Sequence, residues 1–281
     1  MLTPHGWARH NEVKVGNLVS AFNMQTEEIV FCPALDKVHR PLYPGESMYC
    51  LQGHYVDLRV TDQHDLVCSR RRSVRRWEKV TAAQLAQQPQ RFHVPVAGKN
   101  DGPGVPLRDQ ELRFLGWVFS DGYRCPIKNE IIITQSVDSP YLEAIHDALQ
   151  GCNLAYRVYC RGRCGERAEQ APALRFVVSY SGSRESGGQR GWRYLERYLY
   201  GPLLLTLRDI SRRQLSVLLE TLLYGDGERR SFKRRTKILS LGEHRYLIDH
   251  LQALCVLRGF RSVVNLQQRR IDESSGRVFK R

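Results

Sequence analysis

The sequence has no long hydrophobic run, since no stretch approaches the roughly 18 consecutive apolar residues of a membrane-spanning helix. Its start, MLTPHGWARHNE, also lacks the basic-then-apolar order of a signal peptide. We therefore expect a soluble, cytoplasmic protein with no membrane partner. Cysteines are scattered, and the close pair Cys160 and Cys164 has no second pair to complete a zinc site. Reduced thiols are favoured over both zinc and a disulfide framework.

Lysine is scarce: of 43 basic residues, 35 are Arg and 8 are Lys, against 29 acidic residues. The planar guanidinium fits phosphate oxygens, so this excess favours a polyanionic partner such as DNA or RNA. The alternative is that an arginine-rich composition has no role in nucleic-acid binding. The excess lies mainly in residues 101–281, with 30 basic against 20 acidic groups, compared with 13 against 9 in residues 1–100.

The first hundred residues predict an all-β domain with one short helix. Apolar segments alternate with turn residues, which is typical of small antiparallel strands. The predicted strands lie in KVGNLVSAF, IVFCPALDKVH, SMYCLQG, YVDLRVT and HDLVCSR. The helix TAAQLAQQ is predicted to follow Thr81 as its cap. The glycine- and proline-rich residues 96–109 predict a linker between domains 1–100 and 101–281.

Beyond this linker, one order of elements occurs twice, at about residues 107–200 and 210–281. The sequence of each copy predicts an apolar helix that ends on Asp-Gly, then a strand, an amphipathic helix and further strands. The two aspartates, Asp121 and Asp226, are 105 residues apart. This spacing predicts a duplicated α/β unit in a monomer with internal pseudo-two-fold symmetry. The intervening GSRESGGQRGWRYLERYLYGP predicts a turn and a connecting helix.

The two apolar helices, LRFLGWVFSDG and LSVLLETLLYGDG, leave little or no polar stripe. Such helices are buried on most sides, and packing one against the other would bury both. Gly116 would let the backbones approach closely, although Thr221 at the matching place is bulkier. This packing predicts that the two helix C-termini lie side by side.

Asp121 and Asp226 would then face the negative ends of two helix dipoles and repel each other. A divalent cation removes this conflict, and Mg²⁺ suits two carboxylates because water and phosphate oxygens complete its coordination. The alternative is that Gly122 and Gly227 are left-handed helix caps, with each Asp acting as a turn residue.

The two segments resemble the paired signature helices of LAGLIDADG homing endonucleases. The resemblance implies that Asp121, in FLGWVFSDG, and Asp226, in LETLLYGDG, bind catalytic Mg²⁺ at the helix interface. It also implies that an antiparallel sheet from each repeat sits on the major groove of double-stranded DNA. Gln135, in IIITQS, resembles a polar residue that the family places near the attacking water, and by spacing its counterpart is Ser240.

The first hundred residues resemble the Hint fold of inteins. TPHGWARHNEVKVGNLVSAFN is similar to the region after an intein's first residues, and LRVTDQHDLVC contains the Thr-x-x-His block at Thr61 and His64. In inteins this histidine activates the first peptide bond, whereas the alternative is a hydrogen-bonded loop histidine. No Cys or Ser nucleophile precedes TPHGW and no His-Asn ends the chain. We therefore expect that the chain does not splice.

The sequence also departs from the endonuclease pattern, because the family often places a Lys late in each repeat and none occurs between Lys128 and Lys233. Arg175 is a substitute that stays protonated. We predict an α+β protein in which a Hint-like β domain precedes a two-repeat endonuclease domain with antiparallel sheets. The expected function is site-specific, Mg²⁺-dependent cleavage of double-stranded DNA. The alternative is a DNA-binding relic that has lost cleavage.

Overall fold

A computed structural model of the protein describes residues 1–53, 55–70, 76–87, 92–161, 172–182, 188–227, 237–241, 245–264, 269–271 and 278–280. The fold is mixed α+β, as the sequence predicts. Among the described residues, no helix is both long and apolar enough to cross a membrane. The chain divides into two compact units. Unit 1 contains Met1, Ala8–Lys99 and Leu251–Arg281, and unit 2 contains Leu2–Trp7 and Asn100–His250.

Short antiparallel hairpins dominate the N-terminal part of the chain. The first hairpin, formed by β1 (Leu2–Thr3) and β2 (Gly6–Trp7), belongs to unit 2. In unit 1, each of three further hairpins joins two consecutive strands. Their strands are β3 (Leu18–Phe22), β4 (Ile29–Pro33), β5 (Met48–Gly53), β6 (Val56–Thr61), β7 (Asp65–Cys68) and β8 (Glu78–Thr81). The sequence predicts all of these except β8, whose Glu and Lys obscure the strand pattern.

A short helix, α1 (Ala82–Gln87), closes a small core in unit 1. The Thr81 hydroxyl accepts from the Gln84 backbone N–H at 3.2 Å, and the Gln84 side chain accepts from the Thr81 N–H at 3.2 Å. This reciprocal cap confirms the predicted start of the helix. The core side chains are Leu66, Cys68, Val80, Ala82 and Leu85.

Unit 2 contains a four-stranded antiparallel sheet in the order β11-β12-β10-β9. Its strands are β9 (Gly122–Cys125), β10 (Glu130–Ser136), β11 (Tyr156–Arg161) and β12 (Ala173–Val178). On β10, Ile131 and Ile133 are fully buried, whereas Thr134 between Ile133 and Gln135 is exposed. The side chains alternate between a core face and an open face, as the pleat of a strand requires. Three strands match the prediction, and β9 is too short for its pattern to be recognised.

Two long helices form the centre of unit 2. We call α2 (Asp109–Asp121) and α6 (Arg212–Asp226) the helix pair, because they pack against each other along their length. α3 (Leu142–Gly151) packs on α2, which also contacts β9 and β10. The residues of α2 and α6 that face these neighbours are nearly all apolar and buried, as the sequence predicts.

Small residues let the helix pair approach closely. A Cβ atom added at Gly116 would lie 2.7 Å from Cβ of Thr221 and 3.0 Å from its Cγ2. A Cβ atom added at Gly225 would likewise collide with Ser120. In both contacts the two residues are 105 positions apart, so equivalent residues of the two copies face each other. Facing equivalents are the mark of an isologous, pseudo-two-fold interface.

The connecting segment between the copies is broken into short pieces. It contains a 3₁₀ turn (Trp192–Leu195), α4 (Glu196–Tyr200) and α5 (Leu203–Leu207). Gly201 and Pro202 separate α4 from α5, because proline lacks the N–H that a continuous helix needs. The predicted connecting helix corresponds to the contiguous 3₁₀ turn and α4, whereas α5 lies beyond the predicted segment.

The end of the chain contributes one more helix and a hairpin. α7 (Arg245–Leu257) spans the division between the units, which falls after His250. β13 (Arg269–Ile271) and β14 (Val278–Lys280) form an antiparallel hairpin in unit 1. In the described part of the predicted strand TKILSLG, residues 237–241, Leu239 forms an isolated bridge with Gly227.

The second half of the predicted linker is held in place by a buried amide. The Gln214 side chain accepts from the Val105 N–H at 2.9 Å and donates to the Val105 carbonyl at 2.8 Å and the Leu107 carbonyl at 3.0 Å. Gly104 N–H donates to the Asp209 carbonyl at 2.7 Å. These contacts tie the start of α2 to the start of α6, so the N-termini of the helix pair are fixed as well as the C-termini.

The Gly116–Thr221 contact predicts a specific pattern of stability changes. We expect Gly116→Ala to lower the free energy of unfolding by about 1–3 kcal/mol, because the new Cβ has no room. Thr221→Gly should relieve the collision, whereas Thr221→Ala should not, since Cβ of Ala remains in place. A double-mutant cycle by urea denaturation measures this, and equal losses from Gly116→Ala in both backgrounds would contradict the contact.

Candidate active site at the ends of the helix pair

Asp121, the last residue of α2, accepts a hydrogen bond from the Ser120 hydroxyl, which is 2.9 Å from its Oδ2 atom. The side chain of Gln135 is close enough to lower the pKa of the carboxyl group. Gly122, the residue after Asp121, pairs with Ile133 of β10. Gln135 lies two residues further along β10 and on the same face of the strand, which brings it close to Asp121. The structure therefore brings together two of the three residues that the sequence proposes for the site.

Burial is the main influence on the Asp121 carboxyl group. It raises the pKa of Asp121 above the usual value, and the side chains of Ser120 and Gln135 oppose this shift only in part. The ionised form of the Asp121 carboxyl group is therefore less favourable at this position than in water. A nearby cation would favour that form, so the electrostatics of Asp121 suit a metal ligand.

The carboxylate of Asp121 lies against α6. A Cβ atom added at Gly225 would collide with Oδ2 of Asp121 and with Oγ of Ser120. Gly225 immediately precedes Asp226, and consecutive Cα atoms are about 3.8 Å apart. The carboxylate of Asp121 therefore lies beside the backbone from which Asp226 extends, as expected for helix C-termini that lie side by side.

Asp226, the last residue of α6, is half-buried, and its backbone carbonyl accepts from the Ser240 N–H at 3.1 Å. The last turn of α6 is held by an aromatic stack, in which the rings of Tyr224 and Tyr141 are 4.7 Å apart at 16°. Trp117 of α2 is 6.4 Å from each of these rings. This stack fixes the end of α6 against the first copy.

The alternative interpretation of the two glycines as left-handed caps is wrong. Gly122 has φ −87° and Gly227 has φ −78°, both in the extended region that any residue adopts. The N–H of each bonds back to the helix, at Val118 and Leu223 respectively. An added Cβ would lie 2.6 Å from Cα of Val118 or 2.9 Å from Cα of Leu223. Glycine is needed because the chain leaves each helix directly over its last turn.

The fixed spacing of 105 residues predicts that Ser240 is the counterpart of Gln135. The structure instead places Leu241 at the matching position. Gly122 pairs with Ile133 in the first copy, but Gly227 pairs with Leu239 in the second. One extra residue therefore lies between the helix end and the strand position. Ser240 matches Thr134, and both are exposed, whereas Leu241 matches Gln135 and is buried.

Arg175 lies on the open face of the sheet, in register with Thr134 of β10 and Tyr159 of β11. Its Nε atom is buried without a hydrogen-bond partner among the residues that the structure describes. The nearby Arg157 differs, because its guanidinium is paired with Glu130 at 2.9 Å. Arg175 therefore keeps an unused donor among the residues that the structure describes.

Three other residues are singled out by the sequence, namely His64, Cys160 and Cys164. His64 is exposed between β6 and β7 in unit 1, where its backbone bonds to Thr61 at 3.1 Å and Ala82 at 3.0 Å. Cys160 is exposed on β11, and Cys164 lies outside the described residues. Ser120 and Gly225 are not among the predicted site residues, although their small size at matching motif positions is a usable signal in the sequence.

Within the described ranges, no group of three or more His, Cys, Asp or Glu side chains is arranged to hold a metal ion. A closed, all-protein metal site therefore does not fit this part of the chain. A pair of carboxylates does fit Mg²⁺, which binds through one or two carboxylates and takes its other ligands from water and substrate phosphate.

Comparisons of the chain with protein-family models, with curated proteins and with solved structures gave no match. The resemblance to LAGLIDADG endonucleases thus rests on the two helix ends and on the repeated order of elements.

Substitution by Asn distinguishes the two explanations for Gly122 and Gly227. Asn tolerates a left-handed backbone, but its Cβ atom would collide with the last turn of the helix. We expect Gly122→Asn and Gly227→Asn to destabilise as much as the Ala variants, by about 1–3 kcal/mol or more. Gly45→Asn is the matched control, because Gly45 has φ +84° and open space around its Cα. Thermal melting compares the variants, and stability preserved by Asn at positions 122 and 227 would restore the left-handed interpretation.

Proposed function

We propose that this protein is a site-specific, Mg²⁺-dependent endonuclease of the LAGLIDADG homing type that acts on double-stranded DNA. The observation that carries the proposal is the position of the Asp121 carboxylate, which is half-buried and lies against Gly225 at the ends of two paired helices. A carboxylate at a helix C-terminus faces the negative end of the helix dipole, which is unfavourable for folding alone. Its presence at such a duplicated position favours a role in metal binding.

In this proposal, Asp121 and Asp226 would hold the metal, and neighbouring side chains would orient them. Mg²⁺ held there would offset the negative charge that develops on the phosphate during in-line attack by water. Ser120 orients the Asp121 carboxylate by donating to its Oδ2 atom, and Gln135 lies near it on β10. Arg175, on the open sheet face, positions the DNA backbone by contact with phosphate.

The N-terminal hairpins support a Hint-like origin for residues 1–100, with the Thr61–His64 turn at the start of β7. We propose that residues 1–100 form a Hint-like domain and that the protein is a monomer. We also propose two repeats, at about residues 107–200 and 210–281. A Hint-like scaffold around an endonuclease would make the protein an intein-derived element.

The second candidate function is DNA binding without cleavage. It is favoured by the absence of Lys between Lys128 and Lys233 and by the apolar Leu241 at the place of Gln135. Such a protein would keep the basic sheet face and lose turnover. A metal-dependent nicking assay on bound duplex separates the two candidates.

The carboxylates are tested by Asp121→Asn and Asp226→Asn, which keep size and remove charge. We expect each to lower cleavage by about a thousandfold, because a metal supplies several kcal/mol of charge stabilisation, while duplex binding persists. Cleavage of plasmid and electrophoretic mobility shift measure the two properties. Cleavage and metal-induced stabilisation that both survive the double substitution would exclude these residues as ligands.

Without metal, the effect of Asp121→Asn on stability should depend on pH. Because burial raises the pKa of Asp121, ionisation costs folding free energy above that pKa, and the cost disappears as pH falls through it. At neutral pH, Asp121→Asn should therefore be as stable as the unsubstituted protein or more so. The difference in melting temperature should shrink toward acid pH. A variant that is less stable at neutral pH would contradict this sign.

Arg175 is tested through the salt dependence of binding. Each phosphate contact contributes about −0.9 to the slope of log K against log salt, so Arg175→Gln should reduce the slope by about one. Arg59→Gln is the control, because Arg59 is an exposed strand arginine of unit 1 with no assigned DNA contact. Fluorescence anisotropy with duplex DNA measures both slopes. Equal slopes for the two variants would remove Arg175 from the interface.

A further inference from the structure

Two arginines on the open face of the four-stranded sheet differ in their surroundings. Arg157 of β11 donates from Nη2 to Oε1 of Glu130 on β10 at 2.9 Å. The Nε atom of Arg175 on β12 is buried without a hydrogen-bond partner among the described residues. We propose that Glu130 is a specificity-determining residue, because its carboxylate withholds Arg157 from the phosphates of a non-specific duplex. This inference rests on the proposed contact of the open face with double-stranded DNA.

The ion pair of Arg157 with Glu130 crosses the middle of the sheet. β11 and β10 are not neighbours, since β12 lies between them. Arg157 is in register with Val177 of β12, which is in register with Ile132 of β10, two residues from Glu130. Residues two apart on a strand share a face, so all of these lie on the same face as Arg175. Val177 is only 7% exposed there, as expected for a strand that side chains from both neighbours cross.

The guanidinium is the accessible member of this ion pair. The Arg157 side chain is 62% exposed, whereas the Glu130 side chain is 15% exposed. An approaching duplex would therefore meet the guanidinium first. Because Glu130 already balances its charge, a phosphate that binds Arg157 must either displace the carboxylate or lie beside it. Both arrangements weaken the phosphate contact.

The effect on specificity follows from the difference between phosphates and base edges. Phosphate contacts carry no direct sequence information, and they supply essentially all of the affinity for non-specific DNA. Base edges in the major groove are neutral and offer both donors and acceptors, so a neutral guanidinium–carboxylate pair can meet them without separating. Glu130 therefore weakens complexes that depend on phosphate alone. Specificity rises when the wrong complex is weakened, as it does when the right one is strengthened.

The experiment measures the affinity of the full chain for a mixed-sequence duplex at several salt concentrations, by fluorescence anisotropy. Glu130→Gln frees Arg157 for one more phosphate contact. The slope of log K against log salt should therefore steepen by about 0.9, and the affinity should rise about tenfold at about 0.1 M salt. Arg157→Gln should make the slope shallower by a similar amount, because the carboxylate is left facing the duplex. The double variant has no net charge at the pair, as in the unsubstituted protein, and should return to its slope.

Asp109→Asn is the matched control. Asp109 is ion-paired with Arg213 at 2.7 Å, so this substitution also removes one negative charge and frees one guanidinium. Both residues lie in the first turns of the helix pair, at the end of α2 opposite to β9. We expect no change in slope, and thermal melting checks that each variant is folded. A change equal to that of Glu130→Gln would reduce the effect to net charge and overturn the assignment.

Specificity is measured as a ratio of two affinities, for a duplex selected from a randomised library and for the mixed-sequence duplex. Glu130→Gln should lower this ratio by up to about tenfold, because only the non-specific complex gains a phosphate contact. Equal gains in affinity for both duplexes would overturn the role of Glu130 in specificity.

The remaining outcomes separate this inference from the proposed function. If Arg175→Gln makes the slope shallower while Glu130→Gln leaves it unchanged, the open face binds duplex DNA and the assignment of Glu130 is wrong. A double variant whose slope stays as shallow as that of Arg157→Gln would mean that Arg157 binds phosphate regardless of Glu130, which also overturns the assignment. Absence of salt-sensitive duplex binding by the unsubstituted chain would contradict the proposed function, and this inference with it.

Discussion

The close contact of α2 with α6 is the constraint on which the rest of unit 2 depends. Each helix supplies one glycine and one larger residue at the contact, Gly116 opposite Thr221 and Gly225 opposite Ser120. These pairs lie one turn apart on each helix, so the two contacts fix both the separation and the register of the helices. With the register fixed, both helices end at the same level.

This arrangement places Asp121 where folding alone would not keep a carboxylate. The helix dipole and burial both disfavour its charge, and only the side chains of Ser120 and Gln135 oppose them. The many buried apolar contacts of the helix pair provide the stability that makes this cost tolerable. Unfavourable charge concentrated at one place in a well-packed core is typical of a functional site.

Much of the fold could be predicted from the sequence, because the helix pair and β10 have long and unambiguous apolar patterns. The shared Asp-Gly ending also predicted that Asp121 and the end of α6 would meet. What the sequence could not predict depends on contacts between distant residues. Gln214 orders Val105–Leu107, which by composition are linker residues. From the sequence, Gly122 and Gly227 could be left-handed caps or positions with no room for a Cβ atom. Only their backbone angles distinguish these two explanations.

The counterpart of Gln135 shows why a repeat spacing cannot be carried from a helix into a strand. The spacing of 105 holds through the helix ends, at Asp121 and Asp226, because the interface allows no shift there. One additional residue before Leu239 then moves the strand by one position. Side chains alternate between faces with a period of two, so a single residue exchanges inward and outward positions. Leu241 thereby enters the core, and Ser240 lies on the exposed face.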